Sequence, residues 1–230
     1  LIFIQGLWME ELGKMIISSA VKARGHTTSL LLGKDDTVLK DVISLKPQAV
    51  GFTCLTGYQK RWVALAKRIK EAMGNKVVTI MGGPHPTFFP DVIREEGIDV
   101  ICRGEGESAM AELLDAIENG EDYTMIPNLW VKRNGNVFKN DIRPLVDLDE
   151  LPSPDREMSF RYPFIRKDPN VHFMAGRGCP YSCSFCFNSS MRELYRGKGS
   201  YIRLKSAEGM IAEIKEVRER WGIRVAYFQD

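Results

Sequence analysis

"AVGFTCLTGYQKRWVALAKRIKEAMGNKVVTIMGG", residues 49–83, reads as one strand–helix–strand unit. Ala49–Thr53 and Val77–Met81 are short apolar, β-branched runs, the type that is buried on both faces in a parallel sheet. Between them Trp62, Leu65, Ala66, Ile69 and Met73 share one helical face. Gly74 stands where that helix should stop. The pattern continues on both sides. Leu1–Ile4, Thr28–Leu32 and Ile98–Cys102 are further strands. Leu12, Met15, Ile16, Ala20 and Ala23 form a second helical stripe, and Met110, Leu113, Leu114 and Ile117 a third, with Gly25 and Gly97 as further stops. Asp35 and Asp36 read as a turn and N-cap. Repeated strand–helix alternation predicts an α/β fold, a Rossmann-like (flavodoxin-like) parallel sheet with helices on both faces.

Asn134-Gly135, between Asn128–Arg133 and Asn136–Lys139, predicts a hairpin that closes a first domain over residues 1–142. Residues 143–170 hold Pro144, Pro152, Pro154, Pro163 and Pro169 with little periodicity, the pattern of a linker or wrapping segment. Val171–Ala175 then reads as a strand. A helix follows from about Ser206, with Met210, Ile214, Val217 and Trp221 on one face, and Arg224–Phe228 is another apolar run. Residues 171–230 thus begin a second β-α-β series.

The chain has 230 residues, 44% hydrophobic and 27% charged, enough to bury a real core. A net charge of +2, from 32 basic and 30 acidic residues, leaves no electrostatic footprint for nucleic acid or an anionic membrane. No apolar run approaches the roughly 18–20 residues that span a bilayer. The strand-like opening without Met, and the ending on Tyr227-Phe228-Gln229-Asp230, predict a piece of a longer protein. Five cysteines, odd in number and clustered, do not form a disulfide framework and favour a reducing, cytoplasmic setting.

In an open α/β sheet, ligands bind beyond the carboxyl ends of the strands. After the first strand comes Gln5-Gly6-Leu7-Trp8, which lacks G-x-G-x-x-G and makes a dinucleotide site a weak reading. Later strands end in Thr53-Cys54-Leu55-Thr56-Gly57, in Gly82-Gly83-Pro84-His85-Pro86-Thr87, and in Arg103-Gly104-Glu105-Gly106-Glu107. Glycines there let the backbone approach a large flat ligand, and they also suit tight βα turns. His85 either faces such a ligand or stiffens its loop. Glu105 and Glu107 open a helix, whose dipole favours acidic groups. Cys54 and Cys102 read as small buried hydrophobes, and Trp8 and Trp62 as core or ring-packing residues.

The remaining cysteines crowd into "GRGCPYSCSFC", residues 176–186. Cys179, Cys183 and Cys186 have the spacing C-x3-C-x2-C. Thiolates are soft ligands for zinc, copper(I) or iron–sulfur clusters. A structural zinc site wants four closed ligands, and His172, on the upstream strand, is awkward as a fourth. A 4Fe–4S cluster normally takes four cysteines. Three leave one iron open to an exogenous ligand.

C-x3-C-x2-C after a strand, with Phe185 just before the last cysteine, resembles the signature of the radical S-adenosylmethionine (SAM) enzymes. The resemblance implies that Cys179, Cys183 and Cys186 hold a 4Fe–4S cluster, with SAM on the fourth iron and Phe185 near its adenine. It also implies reductive cleavage of SAM to methionine and a 5′-deoxyadenosyl radical, with an external electron donor such as flavodoxin or ferredoxin. Residues 171–230 then correspond to the beginning of a partial (β/α) barrel. Many members carry Gly-Gly-Glu after the second barrel strand to hold the SAM amino group. Here Gln229-Asp230 stands there, and Asp230 either serves SAM or caps its strand.

The first domain is similar to the cobalamin-binding domain fused upstream of many radical SAM enzymes, where "GGPHPT"-like and "GEGE"-like loops recur in this order. The resemblance implies a corrin contact surface from Gln5, Gly6, Leu7, Thr53, Leu55, Thr56, Gly82, Gly83, His85, Gly104, Glu105 and Gly106. The D-x-H-x-x-G of classical cobalamin domains is missing, which implies a base-off corrinoid without a lower histidine ligand. The function so implied is methylation of an unactivated carbon in a small-molecule or natural-product substrate. The alternatives are a radical SAM cyclisation or rearrangement, a radical SAM enzyme whose first domain has lost cobalamin, and a non-catalytic α/β module with a zinc knuckle.

Overall fold

The computed structural model describes residues 1–6 and 9–230, so Leu7 and Trp8 lie outside the described residues. The chain forms two compact units. One is drawn from the start of the chain and Ala20–Ile142, the other from Met9–Ser19 and Arg143–Asp230.

The chain runs β1 (Ile2–Gln5), α1 (Leu12–Lys22), β2 (Ser29–Leu32), α2 (Asp35–Leu45), β3 (Ala49–Thr53) and α3 (Gln59–Met73). It continues through β4 (Val78–Gly82), α4 (Pro84–Phe88), β5 (Val100–Cys102), α5 (Glu107–Asn119), β6 (Leu129–Arg133) and β7 (Asn136–Lys139). Residues Leu12–Ser19 of α1 belong to the other unit. The strands form one sheet in the order β2-β1-β3-β4-β5-β6-β7. The first five are mutually parallel, and β6 and β7 are antiparallel additions. Order 2-1-3-4-5 is flavodoxin-like and puts the topological switch point between β1 and β3.

The segment 49–83 folds as its periodicity dictates. Val50, Phe52 and Met81 are buried, as are Trp62, Leu65, Ala66 and Ile69 on the inner face of α3. Gly74 caps α3 at φ 61°. Asn134 and Gly135 take positive φ, 51° and 77°, the pairing that a type I′ hairpin requires.

Two expectations are corrected. Asp35 and Asp36 do not form a turn and N-cap: α2 begins at Asp35, and its N-cap is Lys34. Their carboxylates instead accept from Arg61 and Arg68 of α3 at 2.7 and 2.6 Å, where the α2 dipole also favours them. Gly97 stops no long helix. Only the short α4 and a 3-10 turn over Pro90–Arg94 connect β4 to β5. Gly97 is needed because its φ is 87° and a Cβ would strike the backbone of Lys67.

The second unit continues with α6 (Arg156–Phe160), α7 (Pro163–Arg166), β8 (Asn170–Phe173), β9 (Gly176–Arg177), α8 (Asn188–Leu194), β10 (Arg203–Leu204), α9 (Ala207–Trp221) and β11 (Val225–Phe228). β8 and β11 are parallel with α9 between them in sequence, and β9 and β10 form a short antiparallel pair. Ser206 caps α9 by accepting from Gly209 N–H at 3.1 Å. Met210 and Val217 are buried, and Trp221 meets Phe160 edge-on with centroids 5.1 Å apart. The proline-rich stretch 143–170 is itself folded. It holds a 3-10 turn at Leu148–Glu150, then α6, and α7, which starts on Pro163 as its rigid φ favours.

Candidate functional site

The first candidate site is the crest of the parallel sheet, at the carboxyl ends of β3, β4 and β5. Main-chain bonds tie its loops together. Cys54 N–H donates to the Gly82 carbonyl at 2.8 Å, and His85 N–H donates to the Cys54 carbonyl at 2.9 Å. Gly83 has φ 96°, and a Cβ there would lie 3.1 Å from both the nitrogen and the oxygen of Cys54. Only glycine fits this seam. Thr87 joins the next loop: its hydroxyl donates to the Gly83 carbonyl at 2.8 Å and accepts from Gly104 N–H at 3.1 Å. Asn128, fully buried at φ 72°, donates to the carbonyls of Arg103 and Glu105 at 2.9 and 3.1 Å. Sequence reading missed both Thr87 and Asn128 as organisers. Asn128 stood in the predicted hairpin strand, and nothing local announces its turn back to the β5 loop.

The crest therefore assembles Thr53, Leu55, Thr56, Gly82, Gly83, His85, Gly104, Glu105 and Gly106 into adjoining loops. Gln5 ends β1 and is buried. Gly6 lies over α3, where a Cβ would stand 2.9 Å from the Arg61 guanidinium. Leu7 is outside the described residues. Small and mostly neutral groups along joined loops suit a large planar ligand, which needs close backbone approach over a wide area. His85 is built into its loop: its Nδ1 lies 3.2 Å from the Thr56 hydroxyl and its ring stacks on Phe89 at 5.2 Å. Burial holds its pKa below the ordinary 6.5, so the ring is neutral at pH 7. His85 and Phe89 also line a cleft of about 500 Å³ beside Gln59 and Val63 of α3. Burial pushes the Cys54 thiol up to about 11, so it is protonated at neutral pH. Glu107 opens α5 and is buried.

The second candidate site is the loop after β8. Gly178, at φ 91°, precedes Cys179, and a Cβ there would collide with the Tyr201 carbonyl. Cys179, Cys183 and Cys186 are free thiols, with Cys183 exposed and the other two half-buried. Cys186 N–H donates to the Cys183 carbonyl at 3.1 Å. Arg192 of α8 stitches the loop from behind. It donates to the carbonyls of Cys179 and Tyr181 at 2.5 and 3.0 Å and to the Ser182 hydroxyl at 3.1 Å. Tyr201 donates to the Asn188 side chain at 2.7 Å, and Asn188 reaches Cys186 Sγ at 3.5 Å. Arg192, Asn188 and Tyr201 were not legible in sequence, because α8 and β10 are too short to show periodicity. Phe185 is 92% exposed. Both Asp230 oxygens cap backbone, accepting from the N–H groups of Ala175 and Gly176 at 3.0 and 3.1 Å.

Among the described residues no three His, Cys, Asp or Glu side chains converge on one metal-ion position. No described helix is long and apolar enough to cross a membrane.

The B12-binding domain family matches residues 6–114. An uncharacterised methyltransferase of Pyrococcus horikoshii is 32% identical over 231 residues, covering 95% of this chain and 48% of that relative. The cobalamin-dependent radical SAM methyltransferase TokK of Streptomyces tokunonensis is 32% identical over 158 residues, 62% of this chain and 22% of TokK. The chain thus spans half or less of these curated relatives. The solved structure of OxsB, a cobalamin-dependent SAM radical enzyme with aqua-cobalamin and SAM bound, matches all of this chain and 33% of OxsB with a TM-score of 0.75 at 19% identity. At that identity the likeness speaks for the fold. The joined glycine loops of the crest, the C-x3-C-x2-C loop after a parallel strand and these relatives point the same way: residues 6–114 match a B12-binding domain, and the chain is similar to cobalamin-dependent radical SAM methyltransferases.

Proposed function

We propose that this chain is the cobalamin-binding domain and the beginning of the radical SAM domain of a methyltransferase acting on an unactivated carbon of a small-molecule substrate. The observation that carries the proposal is the loop at the carboxyl end of β8: three unpaired thiols, C-x3-C-x2-C, in a chain whose residues 6–114 match a B12-binding domain. Cys179, Cys183 and Cys186 would hold a 4Fe–4S cluster, and the crest would hold the corrin ring. When bound, these groups supply the electron for reductive SAM cleavage and the carrier for a methyl group, with an external protein such as flavodoxin or ferredoxin as electron donor. The chain's own residues do the rest. Arg192 holds the cysteine loop in shape, Gly83 brings the crest backbone close to its ligand, and the neutral His85 adds no charge under it. Phe185, exposed beside Cys186, is the candidate adenine contact. Asp230 spends its carboxylate on Ala175 and Gly176, so its support of SAM would be indirect, through the strand. Five cysteines, none in a disulfide among the described residues, fit a reducing, cytoplasmic setting.

Anaerobic reconstitution of the full-length protein tests this. About four irons per chain, lost in Cys183→Ala, together with an absorbance shift on adding hydroxocobalamin, are the expected results. Stoichiometric zinc without iron would overturn the radical reading. Failure of the folded protein to shift hydroxocobalamin would overturn methyl transfer.

A further inference from the structure

β8 leads into the cysteine loop, and β11 pairs along one of its edges. Along a strand, successive residues turn their N–H and C=O groups to opposite edges. On the β11 side, Gln229 N–H donates to the Phe173 carbonyl at 3.0 Å, so His172 presents both backbone groups to the other edge. No strand pairs there among the described residues. Two buried side chains do so instead. Glu10 accepts from His172 N–H at 2.9 Å, and Arg156 donates to the His172 carbonyl at 2.7 Å. The two also pair with each other at 2.7 Å, their side chains 4% and 2% exposed.

The network continues to α9 and to the residue that follows β10. Arg156 reaches Glu213 of α9 at 3.3 Å, and Lys205 takes the other Glu213 oxygen at 2.7 Å. The Arg156 guanidinium also lies 4.5 Å over the Phe173 ring. Buried ion pairs are poor sources of net stability, because desolvation offsets their attraction. Arg156 Nε even lacks a partner among the described residues. What the pair does supply is geometry: one donor and one acceptor, spaced as a neighbouring strand would space them. Beyond His172, Asp230 takes the amides of Ala175 and Gly176, and Lys205 N–H donates to the Ala175 carbonyl at 2.7 Å. The backbone is thereby held at successive points up to Gly176, three residues before Cys179.

We propose that Glu10 and Arg156 are positioning residues for the cysteine loop, their ion pair standing in for an edge strand along β8. The functional half of this inference rests on the cluster reading above; the strand pinning does not. The test uses the full-length protein. Arg156→Lys keeps the charge but cannot reach His172 and Glu10 together, and Glu10→Gln keeps the shape without the charge. In the metal-free protein both should raise amide hydrogen exchange at 171–178 at least tenfold while β3 and α3 are unchanged. After anaerobic reconstitution, the reduced cluster should show an altered electron paramagnetic resonance signal and a weaker SAM-induced change at unchanged iron content. Lys205→Met, which breaks the network away from His172, should leave both readouts as in the wild type. Folded variants with wild-type exchange at 171–178, or with protection lost evenly through the unit, overturn the proposal. Altered exchange with a wild-type cluster spectrum overturns the positioning role alone. A wild-type protein that takes up no iron overturns the cluster reading, and the exchange arm still decides the strand pinning. Should Arg156→Lys fail to fold, Glu10→Gln carries the test.

Discussion

The crest of the first unit and the cysteine loop of the second both stand at the carboxyl ends of parallel strands, yet they are held differently. The seam of the crest is main chain bonded to main chain, Cys54 to Gly82 and His85 to Cys54, with the side chains of Thr87 and Asn128 bridging onward to the β5 loop. The cysteine loop hangs on side chains, above all the three bonds from Arg192. A seam built from backbone changes little when side chains change. A loop stitched by one guanidinium stands or falls with it. The thiols separate the same way: Cys54 is buried and kept protonated, whereas Cys183 is exposed.

The largest expected effect sets glycine against glycine. Gly178→Ala forces a Cβ into the Tyr201 carbonyl at φ 91° and should cost about 3 kcal/mol or more, the upper end for such strain. Gly197→Ala, also at positive φ (75°) but with nothing within 4 Å, should cost only about 1 kcal/mol, the left-handed penalty alone. Thermal melts of the two variants check the difference, and equal losses would deny that close approach governs the loop. Next comes Arg192→Gln. Removing a charged donor from two carbonyls and a hydroxyl should cost about 2 kcal/mol, since part of its loss is replaced by water. Iron uptake after reconstitution should fall, while hydroxocobalamin binding stays as in the wild type. A matching loss of corrinoid binding would blur the contrast between the two regions.

The smallest effect is a pH dependence at the crest. Burial lowers the His85 pKa below 6.5, so the unfolded chain takes up the proton first as pH falls. Stability from this residue is unaffected above pH 6.5 and declines below it, until the pH reaches the folded-state value. Melting temperatures from pH 7.5 to 5.5 should fall less steeply in His85→Gln than in the wild type. Identical slopes would mean that His85 is solvated rather than built into the crest.

The parallel sheet was legible because its strands are buried on both faces and its long helices carry apolar residues at a constant angle. Trp62, Leu65, Ala66 and Ile69 alone nearly draw α3. The Asn134-Gly135 turn and the Ser206 cap were equally local, since each depends on the chemistry of a few neighbouring residues. Gly97 misled because a glycine that ends a helix and a glycine that admits another backbone look the same in one dimension. Asp35 and Asp36 misled in a similar way: their partners, Arg61 and Arg68, sit on the next helix. The proline-rich stretch hid α6 and α7, which are too short for any period to appear.

By itself, the sequence determined what is local or periodic: the alternation of strands and helices, the glycine loops of the crest, and the spacing of Cys179, Cys183 and Cys186. Only the tertiary structure decided how those loops are held. Glu10, Arg156 and His172 lie far apart along the chain and meet as a buried charge pair against a backbone edge. Asp230 finds its amides at Ala175 and Gly176 in the same way. Hydrogen bonds across the chain leave no period and no spacing to read. Their partners are chosen by the fold.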